Sequence, residues 1–319
     1  GVQRMAARNA VIRRLPAVET LGATSVICSD KTGTLTRNEM TVRRVVTADE
    51  TRQVEGSGYA PGEARLFEQA EGHGPTLELV RAGLLCNDAR LRAPGWQVEG
   101  DPMEGALVTL ALKAHLDQEE ARAEWPRLDE IPFDAAHRFM ASLHRAPLGD
   151  RGVIVVKGAP ERILAMCDRQ ETPAGPAPLD VNYWTSRVTE AAAEGERVLG
   201  FAAKYVGEGK TSLDFADVEK GLVFLGICGF IDPPREEARR AIAECHGAGI
   251  TVKMITGDHA ATAQAIARQL GIADSPKVLT GHELDRLPEA EFPEVVAGTD
   301  VFARTSPEHK LRIVRALQA

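Results

Sequence analysis

Three stretches of this chain share one order, a short apolar strand followed by a polar turn at its carboxyl end, and two of them lead into an obvious helix. The first, "TSVICSD", ends at Asp30 and runs into "KTGTLT". The second, "ITVKMITGDH", leads into "AATAQAIARQLGI", where Ala263, Ile266, Ala267 and Leu270 make a helical stripe and Gly271 is a stop signal. The third, "DVFARTSPEHK", offers Ser306 as N-cap and Pro307 as first helical residue before "HKLRIVRALQ". A further helix opens at "DPPREEARRAIAECHGAG", with prolines at its start, acids in its first turn, and Ala238, Ala241, Ile242 and Cys245 on one face. Repetition of this kind predicts a parallel sheet with helices on both sides. Ligands of such sheets bind outside the carboxyl ends of the strands. Asp30, the Thr256-Gly257-Asp258 turn and Arg304 are therefore expected to line one crevice.

Between the first strand and the others lies a segment far too long to be a loop. The expected division is 1–38 and 231–319 for the sheet unit and 39–230 for an inserted domain of α+β type. Within the insertion, "FMASLHR" and "GVIVVKG" read as antiparallel strands, "DPMEGALVTLALKAH" as a capped helix, and "GSGYAPGEA" and "ETPAGPAPLD" as loops. The run "GLVFLGICGFI" is assigned to the insertion, and the crossings near Asn38–Thr41 and Ile231–Arg235 to a two-stranded hinge.

Net charge of -8 and a pI near 5.6 argue against nucleic acid as a partner. Five widely spaced cysteines without a C-x-x-C pair argue against a disulfide framework or a zinc site. No stretch reaches the roughly 18 to 20 apolar residues of a membrane helix, so a soluble chain is expected. The first residues nevertheless carry Arg4, Arg8, Arg13 and Arg14 with no acid before Glu19, as in a segment flanking the cytoplasmic end of a membrane helix or simply a solvated basic helix.

The chemistry expected at Asp30 follows from its neighbours. A carboxylate can attack the γ-phosphorus of ATP and become an acyl phosphate. Such a site needs cations and donors around the phosphoryl oxygens, and a metal to neutralise charge. Lys31, Thr32, Gly33 and Thr34 supply hydroxyls, backbone N–H groups and a permissive turn; Arg304 and Lys310 add charge; Thr256 and Asp258 could hold phosphate and metal-bound water. Five specified residues such as "DKTGT" match by chance on the order of once in a few million positions. Phosphatases and mutases on this type of sheet commonly carry a second aspartate two positions after the nucleophile as acid and base. Thr32 stands there, so the acyl phosphate is expected to persist and to be used.

At "CSDKTGTLT" the sequence resembles the P-type ATPases, and "RNAVIRRLPAVETLGATSVICSDKTGTLTRNEMTV" is similar to the type II cation pumps, calcium pumps in particular. The blocks "KGAPE", "ERVLGFA", "DPPR", "MITGD" and "FARTSPEHK" follow in the family's order. The resemblance implies a haloacid-dehalogenase-like parallel-sheet phosphorylation domain carrying an antiparallel-sheet nucleotide-binding domain. It makes Asp30 the phosphorylated residue, with Lys31, Thr256, Gly257, Asp258 and Lys310 completing the phosphoryl site. Asp30 and the Thr32 carbonyl would hold Mg2+. Phe133 would stack on adenine, Lys157 and Gly158 would line its pocket, Glu104 would lie near the base and Arg138 on the rim, while Arg197 and Arg304 would meet the phosphates of ATP. An aromatic face beside a lysine stem does make a flat apolar slot for a base.

The family's "GDGxND" and "TGE" segments and its membrane helices do not occur in the sequence. The resemblance therefore implies a cytoplasmic catalytic piece of an integral membrane pump. Its partners would be the membrane and actuator domains of the parent and a transported cation, with calcium favoured, and its phosphorylation domain would be truncated. The alternatives are a soluble phosphatase of the haloacid dehalogenase type and a non-enzymatic nucleotide sensor.

Overall fold

A computed structural model describes residues 22–62, 65–67, 74–147, 151–207 and 209–318. The basic segment that opens the chain lies outside the described residues. The chain divides into two compact units: one holds the described residues up to Arg37 and those from Pro234 on, the other runs from Asn38 to Pro233.

The first unit begins with β1 (Val26–Asp30). Its sheet is interrupted there by the second unit, whose strands are β2 (Thr41–Val46), β3 (Thr51–Gln53), β4 (Arg90–Arg92), β5 (Gln97–Glu99), β6 (Arg127–Asp134), β7 (Phe139–Arg145), β8 (Gly152–Gly158), β9 (Cys167–Gln170), β10 (Ala177–Pro178), β11 (Arg197–Val206) and β12 (Leu222–Ile231). Its helices are α1 (Pro75–Leu85), α2 (Pro102–Lys113), α3 (Gln118–Glu124), α4 (Pro160–Ala165), α5 (Val181–Ala193) and α6 (Phe215–Val218). Asp101 caps α2 by accepting from the N–H groups of Met103 and Glu104, as the sequence predicts.

Nine of these strands form one sheet, in the order β10-β9-β12-β11-β8-β7-β6, with β2 and β3 beside β12. Strand β12 shares one edge between two neighbours: Leu222–Phe224 run parallel to β9, and Ile227–Ile231 antiparallel to β2. Residues on β8 alternate between two cores. Val153 and Val155 pack with Leu79, Leu107 and Leu110 of α1 and α2, whereas Ile154 and Val156 pack with Ile163 and Trp184 of α4 and α5. The run "GVIVVKG" is apolar throughout because both faces are covered, a pattern more familiar in parallel sheets. Its strand is nonetheless antiparallel to both neighbours.

The first unit resumes with α7 (Glu236–Gly247), β13 (Thr251–Ile255), α8 (Ala260–Leu270), β14 (Val278–Thr280), α9 (Gly281–Arg286), α10 (Phe292–Ala297), β15 (Val301–Ala303) and α11 (Pro307–Gln318). Its sheet is wholly parallel, in the order β1-β13-β15-β14. Gly271 ends α8 with φ 76°, and Ser306 Oγ accepts from the His309 N–H at the start of α11. Helix α7 departs from expectation. Its prolines precede it, and of the proposed stripe only Ile242 is buried, with Ala241 exposed. Strand β14 is too short for periodicity to reveal it.

Candidate functional site

Asp30 is the last residue of β1, and the chain turns immediately after it. Thr32 (φ -72°, ψ 123°) and Gly33 (φ 75°, ψ -10°) have the angles of a type II turn, whose third position needs a positive φ that glycine adopts freely. Arg235 fastens this turn. Its backbone N–H donates to Leu35 O at 2.9 Å, its Nε to Thr36 O at 2.9 Å and its Nη2 to Gly33 O at 3.4 Å. Sequence reasoning placed Arg235 in the "DPPR" block and at a hinge crossing but not on this turn; three contacts with carbonyls formed across the chain leave no periodic signal.

Two lysines pair with the carboxylates of this edge. Lys310 Nζ, from the first turn of α11, lies 2.5 Å from Asp30 Oδ2 with both side chains about half-exposed. Lys31 is buried at 4% exposure, and its Nζ lies 2.5 Å from Asp258 Oδ2. The turn carrying Asp258 is tied to its surroundings: the Asp258 N–H donates to Thr256 Oγ1 at 3.1 Å, Thr305 Oγ1 donates to Thr256 O at 3.1 Å, and the Arg304 N–H donates to Asp258 O at 3.0 Å. Asp30, Lys31, Thr32, Thr256, Gly257, Asp258 and Lys310 thus share the carboxyl edge of one parallel sheet. Arg304 belongs to the same edge, but its guanidinium contacts the His259 ring. Asp30 and the carbonyl of Thr32 are hard oxygen donors, and Mg2+ is bound in such sites by one or two carboxylates plus substrate phosphates. The donor set fits that ion.

The second unit brings together another group. Lys157, nearly buried on β8, pairs with Glu104 of α2 in a short contact. Glu104 Oε2 also accepts from the N–H groups of Asp88 and Ala89, at 2.9 and 3.1 Å. Strand register extends this group sideways. Lys157 stands opposite Met140, and a register shift between Ile131 and Asp134 sets Pro132 and Phe133 against Met140. Phe133 is 64% exposed on this bulge. Two strand spacings separate it from Lys157, about 10 Å, with Met140 of β7 between. Met140 had no place in the sequence reading because only the register reveals it. Arg138 (φ 60°) turns the chain between β6 and β7 and pairs with Glu161 at 2.7 Å. Gly158 allows β7 to approach, since a Cβ there would lie 2.4 Å from Arg138 O.

Arg197 opens β11. Leu199, Phe201 and Ala203 pack on the α1 and α2 side of the sheet, so alternation sets Arg197 on that side too, the side of Lys157 and Glu104. Phe201 is paired with Lys157, and four residues of strand carry Arg197 about 13 Å beyond it. Arg197 is not in the slot itself.

Comparison with known proteins follows this geometry. A family model described as P-type ATPase, cytoplasmic domain N, matches residues 76–237. The whole chain is 45% identical over 332 residues to cation-transporting ATPase pma1 of Synechocystis sp., of which it covers 36%. It is 44% identical over 337 residues to probable cation-transporting ATPase F of Mycobacterium tuberculosis, also covering 36%. It is 40% identical over 330 residues to a calcium-transporting ATPase of Bacillus subtilis, covering 37%. The chain therefore spans about a third of the length of these curated relatives.

Proposed function

The chain belongs to the P-type ATPases, and from that premise we propose that it is the ATP-binding and phosphorylation part of a cation pump. The inserted unit binds ATP, with adenine over Met140 between the Phe133 ring and the Lys157 stem and within reach of Glu104. Gly158 and Arg138 border that slot. The triphosphate extends toward Arg197, whose distance along β11 suits the span from base to phosphates. In the other unit the Asp30 carboxylate is the nucleophile. An Asp30 oxygen bonds to the γ-phosphorus as the bond to the bridging oxygen breaks, and ADP leaves with that electron pair. Lys310 and Lys31 provide positive charge for the phosphoryl oxygens, while Thr256, Gly257 and Asp258 shape the turn that receives them, and Arg304 adds a cation at its edge. Asp30 and the Thr32 carbonyl would hold Mg2+, which would supply further charge neutralisation.

The observation that carries this reading is the contact of Lys310 with Asp30 at 2.5 Å, beside the Lys31–Asp258 pair. It sets a carboxylate against a cation at the carboxyl edge of a parallel sheet. Thr32 takes the place where a hydrolytic aspartate would stand, which favours a lasting acyl phosphate that drives transport. The parent then lies in a membrane with this part on the cytoplasmic face, and works with its own membrane and actuator domains. Among the described residues no helix is long and apolar enough to cross a membrane. Calcium is the cation we favour, in line with the name of the Bacillus subtilis relative.

The test uses the parent pump in native membranes, γ-labelled ATP and Mg2+, with calcium, manganese, sodium and pH varied. Acid-stable, hydroxylamine-labile label is expected to rise with one ion and to vanish in Asp30→Asn while ATP still binds. ATP binding with no label under any condition would overturn the transport reading.

A further inference from the structure

The face of the large sheet opposite the nucleotide slot holds a charged group that the reading above does not use. Arg44 of β2 and Glu196, the residue before β11, are each 6% exposed. Arg44 Nε donates to both Glu196 oxygens, at 2.9 and 2.7 Å, and Arg44 Nη2 donates to Glu194 Oε2 at 2.5 Å, just past the end of α5. Burial works against the Arg44 charge, yet its two carboxylate partners outweigh it and hold its pKa above the ordinary value. The sheet is built around this pair. Arg44 stands opposite Gly229 of β12, and a Cβ on Gly229 would lie 1.9 Å from Glu196 Oε2, so the carboxylate fills the space where a side chain would be.

Buried ion pairs are weak sources of stability, because desolvation offsets most of their attraction. An apolar pair would fill this space at less cost, which directs attention to what the pair orients. Glu196 is held down on one face, and the pleat then sends its neighbour Arg197 to the other. We infer that Arg44 and Glu196 are positioning residues that fix Arg197 for the phosphates of the bound nucleotide. The inference rests on the proposed phosphate contact of Arg197. It adds that the strand by which the chain enters the insertion, β2, is bolted to the start of β11 on which that contact depends.

The experiment measures displacement of a fluorescent ATP analogue from this chain by ATP, AMP and adenosine. Arg197→Ala is the reference variant: it is expected to lower the preference for ATP over AMP while leaving adenosine affinity within about twofold. Glu196→Gln and Arg44→Met are expected to lower the same preference by about fivefold, again with adenosine nearly unchanged. Gly229→Ala keeps both charges and displaces the carboxylate, and it is expected to act in the same direction. Adenosine affinity reports that each variant folds, a measure that loss of structure would move and loss of aim would not. An unchanged ATP-to-AMP preference in Glu196→Gln and Gly229→Ala, with Arg197→Ala altered, would overturn the inference alone. An unchanged preference in Arg197→Ala would overturn the phosphate reading of Arg197 and the inference with it. Equal losses for all three ligands would show that the pair only holds the fold.

Discussion

Single side chains carry two consequences that can be measured separately. Phe133 is exposed on a bulge and packs into neither core, so its removal leaves the fold intact and takes away a stacking surface. Phe133→Ala is expected to weaken ATP binding by about 1 to 3 kcal/mol, as losses of base–aromatic stacking do; calorimetry that found unchanged affinity would move the adenine slot elsewhere. His144 is the opposite case. It is 2% exposed, with Nδ1 2.9 Å from Trp125 O and Nε2 2.8 Å from Ser142 Oγ, and burial pushes its pKa down to about 4. Between that value and the ordinary 6.5, the unfolded chain binds more protons than the folded one, so stability is complete above pH 6.5 and falls as the pH drops toward 4. The loss is about 3 kcal/mol at full extent. Melting temperatures of the wild type and of His144→Asn should therefore converge as the medium is acidified, and a constant gap would contradict this account. Asp30, Lys31 and Lys310 were legible in the sequence because motif and strand end coincide. Met140, Arg235, Arg44 and Glu196 were not, because their roles arise from register and from pairing between distant segments.

Elements with strong local signals matched the sequence reading: the Asp101 cap of α2, the glycine stop of α8, the serine and proline at the start of α11. Periodicity failed where tertiary cover decides, as in α7 with its single buried residue, whereas the antiparallel strand expected at "GVIVVKG" forms as β8, apolar on both faces. Strand β12 shows the same dependence. Gly226 has φ 147°, and a Cβ there would lie 2.2 Å from Val46 O and 2.5 Å from a Leu79 methyl. It sits opposite Phe201, where the pairing with β11 shifts register. Gly226→Ala combines a strained backbone with a clash against main chain, which cannot rotate away, and a loss of about 3 kcal/mol is expected in chemical denaturation. A loss below about 1 kcal/mol would mean that β2 can shift to make room.

At the scale of the molecule, the parallel sheet near the chain ends and the antiparallel sheet between them were both readable, since strand–turn–helix repeats and alternating strands differ in texture. The second unit has its own two hydrophobic cores, and the chain enters and leaves it once each. We propose that it is an independent folding domain. Residues 38–233 expressed alone should melt in one cooperative transition and bind ATP within about twofold of the whole chain; a disordered product would refute the division.

Synthesis order follows from the pairing of the strands. Val26 meets its partner Thr251, and Val46 meets Ile227, only after almost the whole insertion has been made. On the ribosome the entry strand β2 therefore waits, apart from a growing β6–β7–β8 meander, until β11 and β12 emerge to lie between them. The Asp30 turn waits longer still, first for Arg235, which fastens it, and then for β13, which pairs with its strand. Closing such distant contacts is slow and leaves strand edges exposed meanwhile. The nascent chain thus assembles the strands around Lys157 before Asp30 has a sheet to stand on.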